Sequence, residues 1–257
     1  MSKTIRYLDS CTDQLPQYLP IVHVTTKRKL ASILKNGRID LGPKCKVINQ
    51  RVLFFNYGGA YYRINDDMGP REQPVALMYK ASILNEADKF VPYDTGAVNK
   101  NLYGPWCLEM GKFKKYSFKL GQPELPRKFI KIMFNTNKNY LSGKVIPLKD
   151  NAPTKLKNLY KFYIEPQTSM GNRLDPRRHI LEVHFSKPVD LSSDIIWIAL
   201  PKSSVEYADK IQTYVGEMNP LHIYFYEEEE CWPADQICSW IHHEAREHLK
   251  KFYGLDV

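Results

Sequence analysis

Short apolar stretches recur along the whole chain, and their length constrains the fold more than any other feature of the sequence. Six of them are rich in β-branched and aromatic residues, which favours strands over helices. They cover residues 21–25, 52–56, 75–80, 180–185, 195–200 and 221–226. Residues 128–134 alternate polar and apolar side chains well enough to predict a further strand. No apolar run approaches the roughly 18 residues that a membrane helix needs, so we expect no membrane span.

Helices are predicted between some of these strands. Thr25 or Thr26 can cap a helix with Leu30 on its buried face, and that helix should end before Gly37. Residues 148–161 are also predicted to be helical. The glycine and proline content of the region from about 92 to 127 favours loops with short elements instead.

The C-terminal part is predicted to form a helix, a strand and a helix over residues 203–257. The first helix spans residues 203–215, and an amphipathic closing helix spans residues 233–253. The predicted buried side of the closing helix contains Ile237, Trp240, Ile241 and Leu249. Because no Pro-rich or Ser-rich linker divides the chain, we expect one α+β domain over residues 1–257.

Positive charge is concentrated in one segment. The 257 residues have a formal net charge of +9, but residues 112–161 alone contain 13 basic and 2 acidic residues. Residues 162–257 contain 9 basic and 16 acidic residues and are therefore acidic. We call residues 112–161 the basic segment. Cations that neutralise phosphates favour a nucleic-acid partner.

The basic segment also contains aromatic residues, which can stack on unpaired bases. They are Phe113, Tyr116, Phe118, Phe129, Phe134, Tyr140 and Tyr160. Interleaved cations and aromatic rings suit a single-stranded nucleic-acid groove. The alternative is a solvated basic face whose aromatic residues belong to the core. The predicted nucleic-acid contacts are Lys112, Lys114, Lys115, Lys119, Arg127, Lys128, Arg177 and Arg178.

Several classes of enzyme lack their motifs here. The chain has no G-x-G-x-x-G, no G-x-x-x-x-G-K-[ST] and no G-x-S-x-G, which argues against a Rossmann dehydrogenase, a P-loop NTPase and an α/β-hydrolase. Cys238 and His242 are spaced for one helix face, but the neighbouring spacings match no zinc module, so we expect no metal. Five cysteines without a tight framework, and a start without an apolar signal region, favour a reducing, cytoplasmic location.

Three segments contain polar residues that apolar strands rarely tolerate. The first strand has His23 and Thr25 on alternate positions, so both should point to one face. Residues 52–63 (VLFFNYGGAYYR) join a strand, a glycine break and a tyrosine cluster. Glu182 lies inside the otherwise apolar strand 180–185, where a carboxylate is costly unless it is exposed, paired or functional.

Together, these segments resemble the His-Tyr-Glu branch of the ADP-ribosyltransferase superfamily, and most of all the DarT-type toxins that ADP-ribosylate DNA. That family has a first-strand His followed by a helix ending in I-L-x-x-G, which corresponds to His23 and residues 33–37 here. Its aromatic strand corresponds to residues 53–62, and its catalytic-glutamate strand to Glu182 after Arg177 or Arg178. The order and approximate spacing agree along residues 20–200.

The resemblance implies a fold, a reaction and a set of site residues. The fold is a single α+β domain with split, mixed and antiparallel β-sheets flanked by helices, in which the basic segment is a substrate-side insertion. The reaction transfers ADP-ribose from the co-substrate NAD to a nucleic-acid base, with single-stranded DNA favoured and RNA possible, and releases nicotinamide. The implied catalytic residues are Glu182 and Arg63, and the implied NAD-binding residues are His23, Thr25, Tyr57, Tyr61, Tyr62 and Arg51.

The resemblance leaves alternatives open. The family's motif arginine has no counterpart at Gly58 or Gly59, so Arg63 or Arg51 would supply the cation. Ile180 stands where arginine-modifying members have Glu or Gln, which disfavours arginine as the acceptor. The other hypotheses are an NAD glycohydrolase or protein-directed transferase, and a non-catalytic nucleic-acid-binding protein. The family also implies toxicity, an antitoxin that removes ADP-ribose, and a role in toxin–antitoxin systems or antiviral defence.

Overall fold

The computed structural model describes most of the chain. The described residues are 2–11, 13–61, 73–165, 176–192, 194–216, 221–227 and 234–254. The predicted site residues Tyr62 and Arg63 lie outside them, as does Cys231.

Ten strands are present in the described residues. They are β1 (Ile21–Thr26), β2 (Arg38–Ile39), β3 (Leu53–Tyr57), β4 (Pro74–Tyr79), β5 (Lys89–Val91), β6 (Phe118–Lys119), β7 (Glu182–Phe185), β8 (Val189–Asp190), β9 (Ile195–Pro201) and β10 (His222–Tyr226). All six apolar stretches of the sequence contribute strands, because β-branched and aromatic side chains fit a buried pleated surface.

Eight of these strands form one mixed sheet in the order β10-β9-β4-β1-β3-β7-β5-β6, and β2 pairs with β8 separately. The large sheet is antiparallel throughout, except that β10 runs parallel to β9. β4 is buried along its whole length, so the sheet is covered on both faces at its centre.

The sheet opens between β1 and β3. β1 pairs with β4 over six residues but with β3 over two, Ile21 opposite Tyr57 and Val22 opposite Asn56. From His23 onward the two strands separate. We call this opening the β1–β3 gap; it divides the sheet into a β10-β9-β4-β1 half and a β3-β7-β5-β6 half.

Ten α-helices surround the strands in the described residues. They are α1 (Lys3–Asp9), α2 (Lys27–Asn36), α3 (Thr95–Asn99), α4 (Trp106–Met110), α5 (Phe113–Tyr116), α6 (Leu125–Phe134), α7 (Asn137–Leu141), α8 (Thr154–Ile164), α9 (Ala208–Val215) and α10 (Ala234–Tyr253). Helix α2 confirms the predicted helix after β1, and it stops where Gly37 adopts a left-handed φ of 65°. No described helix is both long and apolar enough to cross a membrane.

The predicted strand at 128–134 is wrong, because these residues belong to helix α6. Pro126 lies in the first turn of α6, where its missing N–H costs nothing. The buried residues of this segment include Phe129, Ile130, Met133 and Phe134. Counted from Phe129, they lie one, four and five positions further on, which places them on one face of a helix. The strand was predicted from alternation over only seven residues, which is too short a window to distinguish a period of two from the helical period of 3.6.

Trp240 does not belong to the buried side of α10. Ile237, Ile241 and Leu249 are buried as predicted, but 46% of the Trp240 surface is exposed. The buried stripe is centred on Ile241 and Ala245, and Trp240 falls outside it.

Candidate active site

Three strands bring Asn56, Glu182 and Val91 side by side. Asn56 on β3 lies directly opposite Glu182 on β7, and Val91 on β5 lies opposite Glu182 from the other side. Directly opposed residues in antiparallel strands point to the same face. Glu182 and Asn56 therefore share one face, which we call the Glu182 face.

The Glu182 carboxylate is buried and accepts three hydrogen bonds from the protein. Only 6% of the residue is exposed. Its Oε1 accepts hydrogen bonds from the Thr95 hydroxyl at 2.8 Å and from Nε2 of His184 at 2.7 Å. Its Oε2 accepts a longer bond, 3.3 Å, from the Thr95 backbone N–H. These donors offset the cost of burying the carboxylate and fix its orientation.

The loop before α3 holds Thr95 in place. Asp94 caps α3, and its Oδ1 accepts a hydrogen bond from the Ala97 N–H at 2.9 Å. Its Oδ2 lies 3.5 Å from Nη1 of Arg177, and its backbone N–H donates to the Arg177 carbonyl. Asp94 thereby joins Arg177 to the segment that binds Glu182.

His184 is a site residue that the sequence analysis missed. It lies two positions after Glu182 on β7, so it projects from the same face. It is fully buried, and Nε2 is committed to Glu182. Within the described residues Nδ1 has no hydrogen-bond partner. The signal was available, because a His two residues from a strand carboxylate always shares its face.

His23 stands at the opening of the sheet. Its Nδ1 donates to the Phe54 carbonyl across the β1–β3 gap at 2.9 Å, which leaves Nε2 as an acceptor. Burial lowers the pKa of His23 to about 4, so the ring is neutral near pH 7. The ring packs on Phe55 at a centroid distance of 5.0 Å. Phe55 projects from the face opposite Glu182, so register alone does not bring His23 and Glu182 together.

Thr25 follows His23 on the same face, as alternation predicts, and is buried. It lies opposite Val75 on β4. The two polar residues of β1 therefore line the same side of the strand as Phe55, not the side of Glu182.

Tyr61 is tied to the Glu182 row through Asn56. The Asn56 side-chain amide donates to the Tyr61 carbonyl at 2.8 Å, and Asn56 is itself opposite Glu182. The Tyr61 ring packs on His242 of α10 at 4.2 Å. Gly59 permits this approach, since a Cβ there would lie 2.7 Å from the Tyr61 ring.

Tyr57 belongs to the core. It is fully buried, and its hydroxyl accepts a hydrogen bond from the Leu19 N–H. Tyr140 donates to the Tyr57 carbonyl and packs near its ring. No face of the Tyr57 ring is accessible in this structure, so the expected stacking on nicotinamide does not agree with its position.

Arg51 lies two residues before β3, at the end of that strand opposite to Tyr61. Its guanidinium donates to the carbonyls of Leu41 and Gly42. It lines a cleft of about 1000 Å³ that also contains Lys89 and His184.

The cations of the basic segment largely bind neighbouring protein groups. Lys112 and Lys115 form ion pairs with Glu109, while Lys114 and Lys119 are exposed. Arg127 donates to the Pro16 carbonyl and stacks on Tyr18, and Lys128 pairs with Asp9 at 2.7 Å. Lys119 alone among these predicted contacts lines the cleft.

Most aromatic rings of the basic segment are in the core. Tyr116, Phe118, Phe129, Phe134 and Tyr140 are each at most 1% exposed. The prediction of a surface on which cations and stacking rings interleave is therefore wrong for these five. Burial is the more favourable position for these rings, since leaving one of them exposed costs about 1.5–3 kcal/mol.

Arg177 and Arg178 are also buried, at 8% and 3% exposure, so neither presents its guanidinium at an open nucleic-acid surface. Arg178 donates to the Glu165 carbonyl at 2.6 Å and lies over the Phe162 ring. Burial lowers the pKa of Arg178. Arg177 pairs with Asp94, the neighbour of Thr95, which binds Glu182.

No group of three or more His, Cys, Asp or Glu side chains could hold a metal ion in the part of the chain that the structure describes. His242, one member of the sequence pair with Cys238, packs on Tyr61 instead.

Neither a protein-family model nor a curated protein sequence matches this chain. Three solved structures of DarT from Thermus sp. 2.9 are similar to it at 13% sequence identity. For the DarT structure in complex with NAD+, the matched region covers 83% of this chain and 98% of the DarT chain, with a TM-score of 0.41. For the complex with ADP-ribosylated ssDNA, the matched region covers 83% of this chain and 97% of the DarT chain, with a TM-score of 0.42. The protein in these structures belongs to the family that the sequence motifs resemble. Because the TM-scores are below 0.5, these structures assign no role to any residue of this chain.

Proposed function

We propose that this protein is an NAD-dependent ADP-ribosyltransferase that acts on a nucleic-acid base, with single-stranded DNA as the favoured acceptor. The observation that carries the proposal is the Glu182 carboxylate, buried in strand β7 and held by Thr95 and His184. A purely structural role gives no reason to place a carboxylate there, since an apolar residue would avoid the desolvation cost.

Glu182 supplies the chemistry that the transfer requires. Breaking the bond between nicotinamide and ribose develops positive charge on the sugar, in an oxocarbenium-like transition state. A carboxylate fixed beforehand stabilises that charge without reorganising. Oε2, which holds one bond of 3.3 Å, keeps lone pairs for a ribose hydroxyl or for the proton of the attacking base.

The remaining donors fit a dinucleotide that enters the β1–β3 gap. His23 is neutral, with Nδ1 held by Phe54, so its Nε2 can accept a hydrogen bond from a ribose hydroxyl. Because His23 and Glu182 project from opposite faces, the gap is the route by which one ligand can contact both. Thr25 lies on the part of β1 that borders this route, whereas Tyr61 lies beyond the end at which β1 and β3 are paired. We propose Arg63 or Tyr62 as further contacts from the segment after Tyr61.

Comparing wild-type protein with Glu182→Gln tests the proposal. Gln keeps the size of the side chain but removes its charge, and we expect nicotinamide release and labelling of oligonucleotides from radiolabelled NAD to fall about 10³-fold. Glu247→Gln, on the exposed side of α10, is the matched control and should retain full activity. Full labelling by Glu182→Gln would refute the assignment.

The distribution of the label separates the alternative functions. Label on single-stranded DNA supports the proposal, while nicotinamide release without any labelled polymer indicates an NAD glycohydrolase. Label on protein alone indicates a protein-directed transferase. In cells, wild-type expression should arrest growth and Glu182→Gln should not, and co-expression of an enzyme that removes ADP-ribose from DNA should restore growth.

A further inference from the structure

A basic cleft lies on the Glu182 face, next to Glu182 itself. It encloses about 1000 Å³, at the upper end of the roughly 300–1,000 Å³ typical of ligand sites. Four of its lining residues are cations: Lys44, Arg51, Lys89 and Lys119. They come from the segment before β3 and from strands β5 and β6, so only the folded chain brings them together.

His184 forms the boundary between this cleft and the active-site carboxylate. The residue lines the cleft, and its Nε2 is bonded to Glu182 at 2.7 Å. Adjacent positions on one face of a strand are about 7 Å apart, so the cleft begins one side chain away from Glu182. In the described part of the chain, the buried Nδ1 of His184 has no partner, which leaves an unsatisfied polar atom beside the cleft.

Two of the four cations are uncommitted. Arg51 donates to the Leu41 and Gly42 carbonyls, and Lys89 donates to Gln50 at 2.7 Å. Among the described residues, Lys44 and Lys119 make no side-chain hydrogen bond or ion pair, and both are exposed.

The acidic residues of the cleft do not cancel this charge. Glu86 and Asp88 also line it, so cations outnumber carboxylates by four to two. Asp88 already accepts a hydrogen bond from the Ser186 backbone N–H at 2.5 Å. The excess of exposed lysines suits phosphate groups, which a lysine ammonium binds as a point charge.

We propose that this cleft binds the phosphate backbone of the acceptor strand and delivers a base past His184 to Glu182. The identity of the strand as the acceptor rests on the proposed function; the binding of phosphates does not. A strand is favoured over the dinucleotide because the described residues that line the cleft include cations but no Phe, Tyr or Trp ring to stack on adenine or nicotinamide. A strand in the cleft and a dinucleotide in the β1–β3 gap would meet at Glu182.

Charge reversal of the two uncommitted lysines tests this proposal without any need for catalysis. The probe is a fluorescently labelled 12-nucleotide single-stranded DNA of mixed sequence, and binding is measured by anisotropy at several salt concentrations. For Lys44→Glu/Lys119→Glu we expect at least about tenfold weaker binding at low salt. The slope of log affinity against log salt should fall by about 1.4, or about 0.7 for each lost phosphate contact.

The matched control reverses two exposed lysines elsewhere, Lys35→Glu on α2 and Lys250→Glu on α10, with the same change in net charge. It should lose less than about threefold in affinity, since the charges lie outside the cleft. Equal losses in both double variants would overturn the proposal, because they would show a general charge effect. So would unchanged oligonucleotide binding in Lys44→Glu/Lys119→Glu.

NAD binding, measured by calorimetry on the same variants, separates the two sources of phosphate. We expect NAD affinity to stay within about twofold in Lys44→Glu/Lys119→Glu. Weaker NAD binding with normal DNA binding would overturn the proposal and assign the cleft to the dinucleotide. Normal DNA binding by wild-type protein without any transfer would instead refute the proposed function and leave the cleft assignment intact.

Discussion

The Glu182 face and the basic segment use charge in opposite ways. Around Glu182, a few polar groups lie in an apolar sheet, and each bonds to another: Thr95 and His184 to the carboxylate, Asn56 to Tyr61. In the basic segment, many cations lie at the surface, and several bind nearby carboxylates and carbonyls. A catalytic role is therefore more readily inferred from one buried charge, which is unfavourable to desolvate, than from many exposed charges, which have little effect on stability.

The aromatic residues sharpen the difference. In the basic segment they pack into the core under the cations, with Phe90, Phe118 and Phe129 in mutual contact. The +11 of this segment is thus mostly a solvated surface over a packed interior. The cations that do meet in a cleft come mainly from elsewhere in the chain: Lys44, Arg51 and Lys89.

The largest effect is expected from the core of the basic segment. Phe129→Ala should lower the free energy of unfolding by about 3–5 kcal/mol, because it removes a fully buried ring that contacts Phe90 and Phe118. The exposed neighbour Lys114→Ala should change it by less than about 0.5 kcal/mol. Chemical denaturation measures both, and a loss below about 1 kcal/mol for Phe129→Ala would mean that the ring is not a core residue.

Removal of the histidine beside Glu182 comes next. His184→Leu deletes a hydrogen bond to a charged group, worth about 1.5–3 kcal/mol, and should lower kcat about 10–100-fold. Because His184 positions the carboxylate, the KM for NAD should change little. His184→Gln can still donate to Oε1 and should recover part of kcat. If KM rises while kcat is kept, His184 contacts NAD and does not position Glu182.

Acid should destabilise the chain around β1 and α10, and not the basic segment. Burial lowers the pKa of His23, His242 and His248 to about 4, below the usual 6.5. The unfolded chain therefore binds more protons between about pH 6.5 and 4. Stability is fully present above pH 6.5 and is lost as pH falls through this window, by at most about 1.4 kcal/mol per pH unit for each histidine.

Replacement of one histidine checks this pH dependence. His242→Phe keeps a ring against Tyr61 and should flatten the slope of unfolding free energy between pH 6.5 and 4. The basic segment contains no histidine. Hydrogen exchange at pH 5 should therefore rise first around α10 and β1, and an early rise confined to residues 112–161 would contradict the assignment.

The smallest effect is expected for an ion-paired surface lysine. Lys112→Ala removes one partner of Glu109 and should change the unfolding free energy by about 0.5 kcal/mol or less. Oligonucleotide affinity should fall far less than in Lys44→Glu/Lys119→Glu. A loss as large as that of the cleft variant would return the nucleic-acid contact to the basic segment.

Local patterns predicted the elements of the site better than its assembly. Strand β7 with Glu182, strand β1 with His23, and helix α2 ending at Gly37 all follow from short-range alternation, capping and glycine chemistry. His184 could have been added by the same alternation. Thr95 could not, because it lies 87 residues before Glu182 and meets it only through the pairing of β5 with β7.

By itself, the sequence determined which short segments are strands, and that one of them contains a carboxylate needing an explanation. Both follow from the period of side chains along a strand and from the cost of burying charge, which are local properties. The tertiary structure alone decided that β1 separates from β3 after two pairs, that five aromatic rings of the basic segment are in the core, and that cations from three distant segments share a cleft beside His184. These outcomes depend on which strands become neighbours, and strand order is set by long-range packing that no local pattern encodes.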